Sequence, residues 1–295
     1  MSTVWSRRAV LAGGGVALLG AAAAGVADGV LPGRTFVRHE LGLDGADGSV
    51  PDVEPGPLRS GAFSSRARGG RRTGWTIAWP PHARVGASLP VAVVLHGRRN
   101  DHTTAFGGRH LGLDRFLAQA VHGGATPFAI ASVDGGSAYW HDRRDGDGAA
   151  TMVVEEFLPL LASHGLDVAR LALMGWSMGG FGSLHLAGVL GHARVSAVAA
   201  MSPALWHRFA DTAPGAFDDA ADFARTTDFG RQHRLDGVRV RIDCGRDDPF
   251  FSATRDYVAG FANRPAGGFE PGAHTMGYWR RLAPTQVRFV AEALT

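Results

Sequence analysis

The stretch Gly175-Trp176-Ser177-Met178-Gly179 decides how this chain folds. It follows an apolar run, Leu171 to Met174, and precedes a run with helical spacing, Phe181 to Leu190. A serine between two such glycines, on a sharp strand-to-helix turn, is the pattern of a nucleophile elbow. The glycines are needed because the serine backbone is strained there, and a Cβ on either side would collide with the adjoining strand or helix.

The pentapeptide alone is a weak signal, because the chain has 42 glycines in 295 residues. Its surroundings support it. Strands are predicted at 60–66, 73–79, 91–95, 127–133, 171–174, 195–201 and 238–243, with a hairpin turn at Arg68-Gly69-Gly70. Helices are predicted at 111–122 and 149–163, and a last helix, 284–294, is expected to start at Pro284. This alternation predicts an α/β fold whose mostly parallel sheet has helices on both faces.

The N-terminus is predicted to be an export signal. Ser6-Arg7-Arg8 is a twin-arginine pattern, and the Ala/Gly/Leu run that follows is short and weakly hydrophobic for a membrane span. We expect residues 1–27 to be removed and the mature chain to be secreted or associated with the cell envelope, without an integral membrane span. An uncleaved anchor or a buried N-terminal helix is the alternative. Residues 28–58 are predicted to be a linker or surface arm and residues 59–295 a single domain.

Charge and cysteine content exclude several functions. Without residues 1–27 the chain has 28 arginines and 27 acidic residues, a net charge of +1, which gives no basis for a nucleic-acid partner. It has no lysine, and therefore no Schiff-base chemistry. The single cysteine, Cys244, allows neither an internal disulfide nor a cysteine-based zinc site. No cofactor and no metal are predicted.

A serine nucleophile needs a histidine that takes its proton and a carboxylate that orients this histidine. In this fold the chain order is serine, acid, histidine. Three histidines follow the strand at 195–201. His274, just before the C-terminal helix, is favoured as the base, and His207 and His233 in the polar segment 206–236 are the alternatives.

The acid is expected directly after the strand at 238–243. Asp248 is favoured, because the proline that follows holds its backbone outside the helical region. Asp247 is the alternative, and Asp243, at the strand end, is expected to be structural.

The oxyanion hole requires two backbone N–H groups. One is expected from Met178, which follows the nucleophile. The other is expected from the loop after strand 91–95, His96-Gly97-Arg98-Arg99, with Arg98 favoured and Arg99 next. An ordinary strand-ending turn at His96-Gly97 is the alternative.

Aromatic residues near these loops are candidates for substrate binding. Trp176, Tyr139 and Trp140 flank the predicted site, and Trp206, with Phe209, could belong to a cover formed by residues 206–236. Ordinary packing explains such residues equally well. The acidic loop 141–147 lacks the spacing of a calcium site and is predicted to be solvated.

The chain resembles the Putative esterase family of α/β-hydrolases, which includes S-formylglutathione hydrolases, feruloyl-esterase-like enzymes and the antigen 85 mycolyltransferases. The matching stretches are Leu95-His96-Gly97, Gly175 to Gly180, Met201-Ser202-Pro203-Ala204, Cys244 to Phe250 and Gly272-Ala273-His274. The resemblance implies an α/β-hydrolase fold and a triad of Ser177, Asp248 and His274. Antigen 85 proteins use a glutamate and lack the His-Gly pair, so the chain is closer to the esterases.

Three functional hypotheses follow. The favoured one is a secreted serine esterase that forms an acyl-enzyme on Ser177 and acts on a small-molecule, lipid or sugar ester. The second is an acyltransferase with the same triad, which passes the acyl group to an alcohol. The third is a non-catalytic cell-wall-binding protein, since a fold alone does not determine function.

Overall fold

The computed structural model describes Gly42 and residues 44–295. The predicted signal segment, 1–27, and part of the predicted arm, 28–58, lie outside the described residues. Residues 44–57 contain no helix or strand. They lie against the domain, where the N–H of Gly48 donates to the carbonyl of Gly277 (2.8 Å).

Eight strands form one sheet in the order β1-β2-β4-β3-β5-β6-β7-β8. Their bounds are Leu58–Ser65 (β1), Arg71–Ala78 (β2), Pro90–Leu95 (β3), Ala129–Val133 (β4), Asp167–Trp176 (β5), Val195–Met201 (β6), Arg239–Gly245 (β7) and Phe269–Glu270 (β8). Strand β2 is antiparallel to both β1 and β4, and all other neighbours are parallel. The prediction of a mostly parallel sheet is therefore confirmed.

The α-helices of the described chain are Leu113–His122 (α1), Ala149–Met152 (α2), Leu158–Ser163 (α3), Met178–Leu190 (α4), Ala220–Thr226 (α5), Phe251–Ala259 (α6) and Met276–Ala293 (α7). A π-helical turn, Val153–Phe157, joins α2 to α3. None of these helices combines the length and apolar character needed to cross a bilayer.

The prediction that the last helix starts at Pro284 is wrong. Helix α7 begins at Met276, because the Thr275 hydroxyl accepts a hydrogen bond from the N–H of Tyr278 (3.2 Å) and caps the helix. Pro284 lies within α7 on its exposed side.

Apolar layers cover both faces of the sheet. Along β3, Val93 and Leu95 belong to a layer that includes Leu184 of α4, whereas Val94 belongs to a second layer with residues of α1 and α7. Burial on both faces explains the continuous apolar character of the parallel strands. These strands end at one edge of the sheet, where the loops that carry the predicted site residues begin.

A carboxylate from the π-helical turn holds the β1–β2 hairpin. Glu156 accepts hydrogen bonds from the Ser65 hydroxyl (2.5 Å) and from the N–H groups of Arg66 (2.9 Å) and Ala67 (3.1 Å). Three donors converge on this one carboxylate, so the contact joins the edge of the sheet to the helical layer.

Replacing Glu156 should destabilise the domain without affecting the chemistry at Ser177, because β1 and β2 form one side of the sheet and are separated from β5 by β4 and β3. We expect Glu156→Gln to lower the free energy of unfolding by about 1–3 kcal/mol, because charge-assisted hydrogen bonds are lost. Urea denaturation measures this. Glu155→Gln, at the exposed neighbouring position, is the matched control and should stay within about 0.5 kcal/mol of the wild type. Equal effects of the two substitutions would contradict the assignment.

Candidate active site

Ser177 lies between β5 and α4, in a strained conformation. Its φ of 56° and ψ of −121° are rare for any residue other than glycine. The loop after β6 holds it there. The Ser177 N–H donates to the Met201 carbonyl (3.0 Å), and the Ser177 carbonyl accepts from the N–H of Ala204 (2.9 Å).

The two flanking glycines are required by contact with backbone atoms. A Cβ on Gly175 would lie 2.2 Å from the carbonyl oxygen of Gly179, and a Cβ on Gly179 would lie 1.8 Å from that of Leu95. The predicted collisions with the adjoining strand and helix are confirmed. The turn can be this sharp only because both positions lack a side chain.

His274 and Asp248 lie beside the serine. The Nε2 atom of His274 is 2.9 Å from the Ser177 Oγ, and its Nδ1 atom is 2.8 Å from Oδ2 of Asp248. The second oxygen of Asp248 accepts the N–H of Phe250 (2.9 Å), and the carboxylate is fully buried. His274 is on the loop between β8 and α7, so three separate segments bring the three groups together.

The two alternative histidines have other surroundings. His207 contacts Asp256 (3.0 Å), and His233 is exposed on a 3₁₀ turn, Gln232–Leu235.

The other two acids connect neighbouring segments. Asp243 binds Arg241 (2.7 Å) and Gln286 (2.7 Å), and burial raises the pKa of its carboxyl. This agrees with the structural role expected for it. The N–H of Asp247 donates to the Gly272 carbonyl (2.9 Å), which connects the loop that carries Asp248 to the loop that carries His274.

The two predicted oxyanion donors follow the ends of neighbouring strands, β5 and β3. Met178 is the first residue of α4, where N–H groups lack partners within the helix. Leu95 at the end of β3 is level with Gly175 of β5, so the loop carrying Arg98 begins beside the elbow. A Cβ on Gly97 would lie 2.7 Å from the indole nitrogen of Trp176, which explains the need for glycine. The donor roles of Met178 and Arg98 stay predictions.

The buried His96 supports this loop, a role that sequence reasoning missed. Its Nε2 accepts the N–H of Gly135 (3.0 Å), so Nδ1 carries the proton and donates to the Gly97 carbonyl (2.8 Å). The indole N–H of Trp140 donates to the His96 carbonyl (3.1 Å). Burial lowers the pKa of His96, since desolvation disfavours the charged ring. The sequence feature that could have indicated this role is a histidine directly after an apolar strand.

Three of the aromatic candidates for substrate binding are corrected. Trp176 and Trp140 are 0% exposed and Tyr139 is 3% exposed, so they are core residues rather than surfaces for a substrate. Tyr139 and Trp206 form a continuous row with Phe250 and His274. Successive ring centroids in this row lie 5.4, 5.3 and 5.3 Å apart, and Trp206 and Phe250 are half-buried.

The prediction of a solvated loop at 141–147 is correct only for the middle of the loop, where 142 and 144–146 are exposed. The other residues of the loop hold neighbouring segments, above all the segment 206–236. His141 binds Asp222 (3.0 Å), and both side chains are buried. Arg143 binds Asp218 (2.9 Å). At the end of the loop, Asp147 is buried against Arg68 (2.7 Å). Burial lowers the pKa of His141. Among residues 44–295, no three potential ligands cluster as a metal site requires.

Residues 67–281 match the sequence model of the family described as Putative esterase. The chain belongs to this family. It is therefore a carboxylic ester hydrolase. No curated protein sequence matches the chain.

Solved structures show the same fold at low identity. An S-formylglutathione hydrolase from Agrobacterium tumefaciens is 17% identical, with a TM-score of 0.64 over 83% of this esterase and 98% of that chain. A ferulic acid esterase from Anaeromyces mucronatus, solved with ferulic acid, is 15% identical, with a TM-score of 0.63 over 83% and 94%. FphF from Staphylococcus aureus, a fluorophosphonate-binding serine hydrolase, is 17% identical, with a TM-score of 0.62 over 81% and 99%. The α/β-hydrolase fold is thus confirmed.

The neutral state of His96 should make stability depend on pH. Its pKa in the folded chain is lowered, so as pH falls below about 6.5 the unfolded chain takes up this proton first and stability decreases. We expect His96→Gln to reduce the loss of unfolding free energy between about pH 7.5 and about pH 5.5. Urea titrations at each pH measure it. His110→Gln, at an exposed position, is the control, and an unchanged slope for His96→Gln would contradict the assignment.

Proposed function

We propose that this esterase hydrolyses carboxylic esters through an acyl-enzyme on Ser177, with His274 as the base and Asp248 as the orienting carboxylate. One observation carries the proposal. An unbroken hydrogen-bonded chain runs from the buried Asp248 through His274 to the hydroxyl of the strained serine, with distances of 2.8 and 2.9 Å. This is the arrangement that activates a serine for acyl transfer.

The reaction would proceed in two halves. The Ser177 Oγ attacks the ester carbonyl while His274 takes its proton, and the N–H groups of Met178 and Arg98 stabilise the oxyanion. The intermediate collapses to the acyl-enzyme as His274 returns the proton to the departing alcohol. Water, deprotonated by His274, then releases the carboxylic acid and restores the serine.

Solvent access supports water as the acceptor. The His274 side chain is 24% exposed, so a water molecule can reach the base once the alcohol has left. The half-buried Trp206 and Phe250, which continue from His274, support an apolar group bound beside the base. Rates with p-nitrophenyl esters of graded chain length test this. Acylated product formed from an added sugar in preference to free acid would instead establish acyl transfer.

We also propose export to the cell envelope or beyond, on the basis of the Ser6-Arg7-Arg8 pattern. Sequencing the N-terminus of the exported protein tests this. A mature chain that retains residues 1–27 would contradict it.

Covalent labelling tests the nucleophile most directly. A fluorophosphonate should label the wild type, and Ser177→Ala should abolish both labelling and ester hydrolysis, with kcat lowered on the order of 10⁴-fold or more. In-gel fluorescence and ester assays measure these effects. Ser252→Ala, at an exposed serine of α6, is the control and should label normally. A folded wild type that is not labelled would contradict the proposal.

The adjacent aspartates form a matched pair for testing the acid. Asp248→Asn should lower kcat on the order of 10³- to 10⁴-fold, because the amide cannot hold His274 in the required tautomer or stabilise the imidazolium. Asp247→Asn makes the same chemical change one residue earlier and should retain kcat within about tenfold. Rates with p-nitrophenyl acetate decide between them. A larger loss in Asp247→Asn would reverse the assignment.

A further inference from the structure

Trp279 connects the base to the turn behind the nucleophile. It lies in the first turns of α7 and is only 7% exposed. Its ring packs edge-to-face against the His274 imidazole, with centroids 4.9 Å apart and planes at 87°. Its indole N–H donates a hydrogen bond to the Ser202 hydroxyl (3.1 Å).

Ser202 belongs to the turn 201–204, which binds the backbone of Ser177. It is fully buried, with a left-handed φ of 47°, and its N–H donates to the Asp243 carbonyl (2.7 Å). Ser202 lies between Met201 and Ala204, whose backbones bind the N–H and the carbonyl of Ser177. A displacement of Ser202 would therefore move both contacts of the nucleophile.

We propose that Trp279 is a positioning residue that fixes the distance between the His274 imidazole and the Ser177 hydroxyl. The inference rests on the proposed function. The bond to Asp248 fixes one nitrogen of the imidazole, but the ring can still swing about that contact. The indole of Trp279 prevents this rotation of the His274 ring. Because the indole is hydrogen-bonded to Ser202, its position is fixed relative to Ser177 as well as to α7.

This role predicts which kinetic constants change. A ring that tilts away from Ser177 slows the steps in which the serine proton moves, and these determine kcat and the rate of fluorophosphonate labelling. The KM should be little affected, because the indole is too buried to form a substrate surface. A residue that served only stability would instead lower the fraction of folded protein and leave the turnover of each folded molecule unchanged.

The test is a double-mutant cycle. For each variant, kcat is calculated per mole of Ser177 that a fluorophosphonate can label, so that unfolded protein is not counted. Trp279→Phe keeps an aromatic ring and removes the N–H donor, whereas Ser202→Ala removes the acceptor. We expect each to lower kcat by about 3- to 10-fold, with KM within about twofold, since each removes one buried hydrogen bond. The double variant should be no slower than the slower single variant, because both changes remove the same contact.

Trp79→Phe is the matched control. Trp79 is also buried, follows β2 at the end of the strands away from the triad, and its indole nitrogen has no partner among the described residues. It should keep the wild-type kcat.

The proposal would be overturned if the loss of kcat in the double variant equalled the product of the losses in the two single variants. A raised KM with unchanged kcat would also overturn it. If Trp279→Phe does not fold, a wild-type kcat in Ser202→Ala would overturn it by itself. A wild type that is neither labelled nor active would refute the proposed function. An active wild type with fully active variants would refute the positioning role alone.

Discussion

The strained backbone of Ser177 is the constraint on which the rest of the site depends. A non-glycine residue in this conformation costs on the order of 1–3 kcal/mol, so its surroundings must compensate. Here Met201 and Ala204 bind both polar groups of its backbone, and α4 begins at the next residue. The strain places the hydroxyl outside both the strand and the helix, where a base can reach it.

The sheet brings groups that are distant in sequence to this hydroxyl. Strands β3, β5, β6 and β7 are parallel neighbours, so the loops that leave them meet at one edge. The loop after β7 supplies Asp248, and the loop before α7 supplies His274. Buried polar contacts then set the fine geometry. His96 supports the loop after β3, and Trp279 joins His274 to the turn that binds the backbone of Ser177.

Much of this was readable from sequence, because local patterns encode it. The elbow glycines, the apolar parallel strands and the order of serine, acid and histidine predicted the fold and brought the right groups together. The predictions that were wrong concern features that depend on tertiary contacts. The helix cap at Thr275 overrode the signal from Pro284, and Trp140 and Trp176 are indistinguishable in sequence from exposed aromatics. Nothing local in sequence marks the partner of Trp279, which is 77 residues away.

In the proposed mechanism an ester passes its acyl group to Ser177. Acid quenching of the first turnover with a p-nitrophenyl ester, followed by peptide mass spectrometry, detects this intermediate. We expect an acyl adduct on Ser177 that forms with the burst of p-nitrophenol and disappears as substrate is exhausted. Turnover with the adduct on another residue, or with no adduct at any time during a burst, would contradict it.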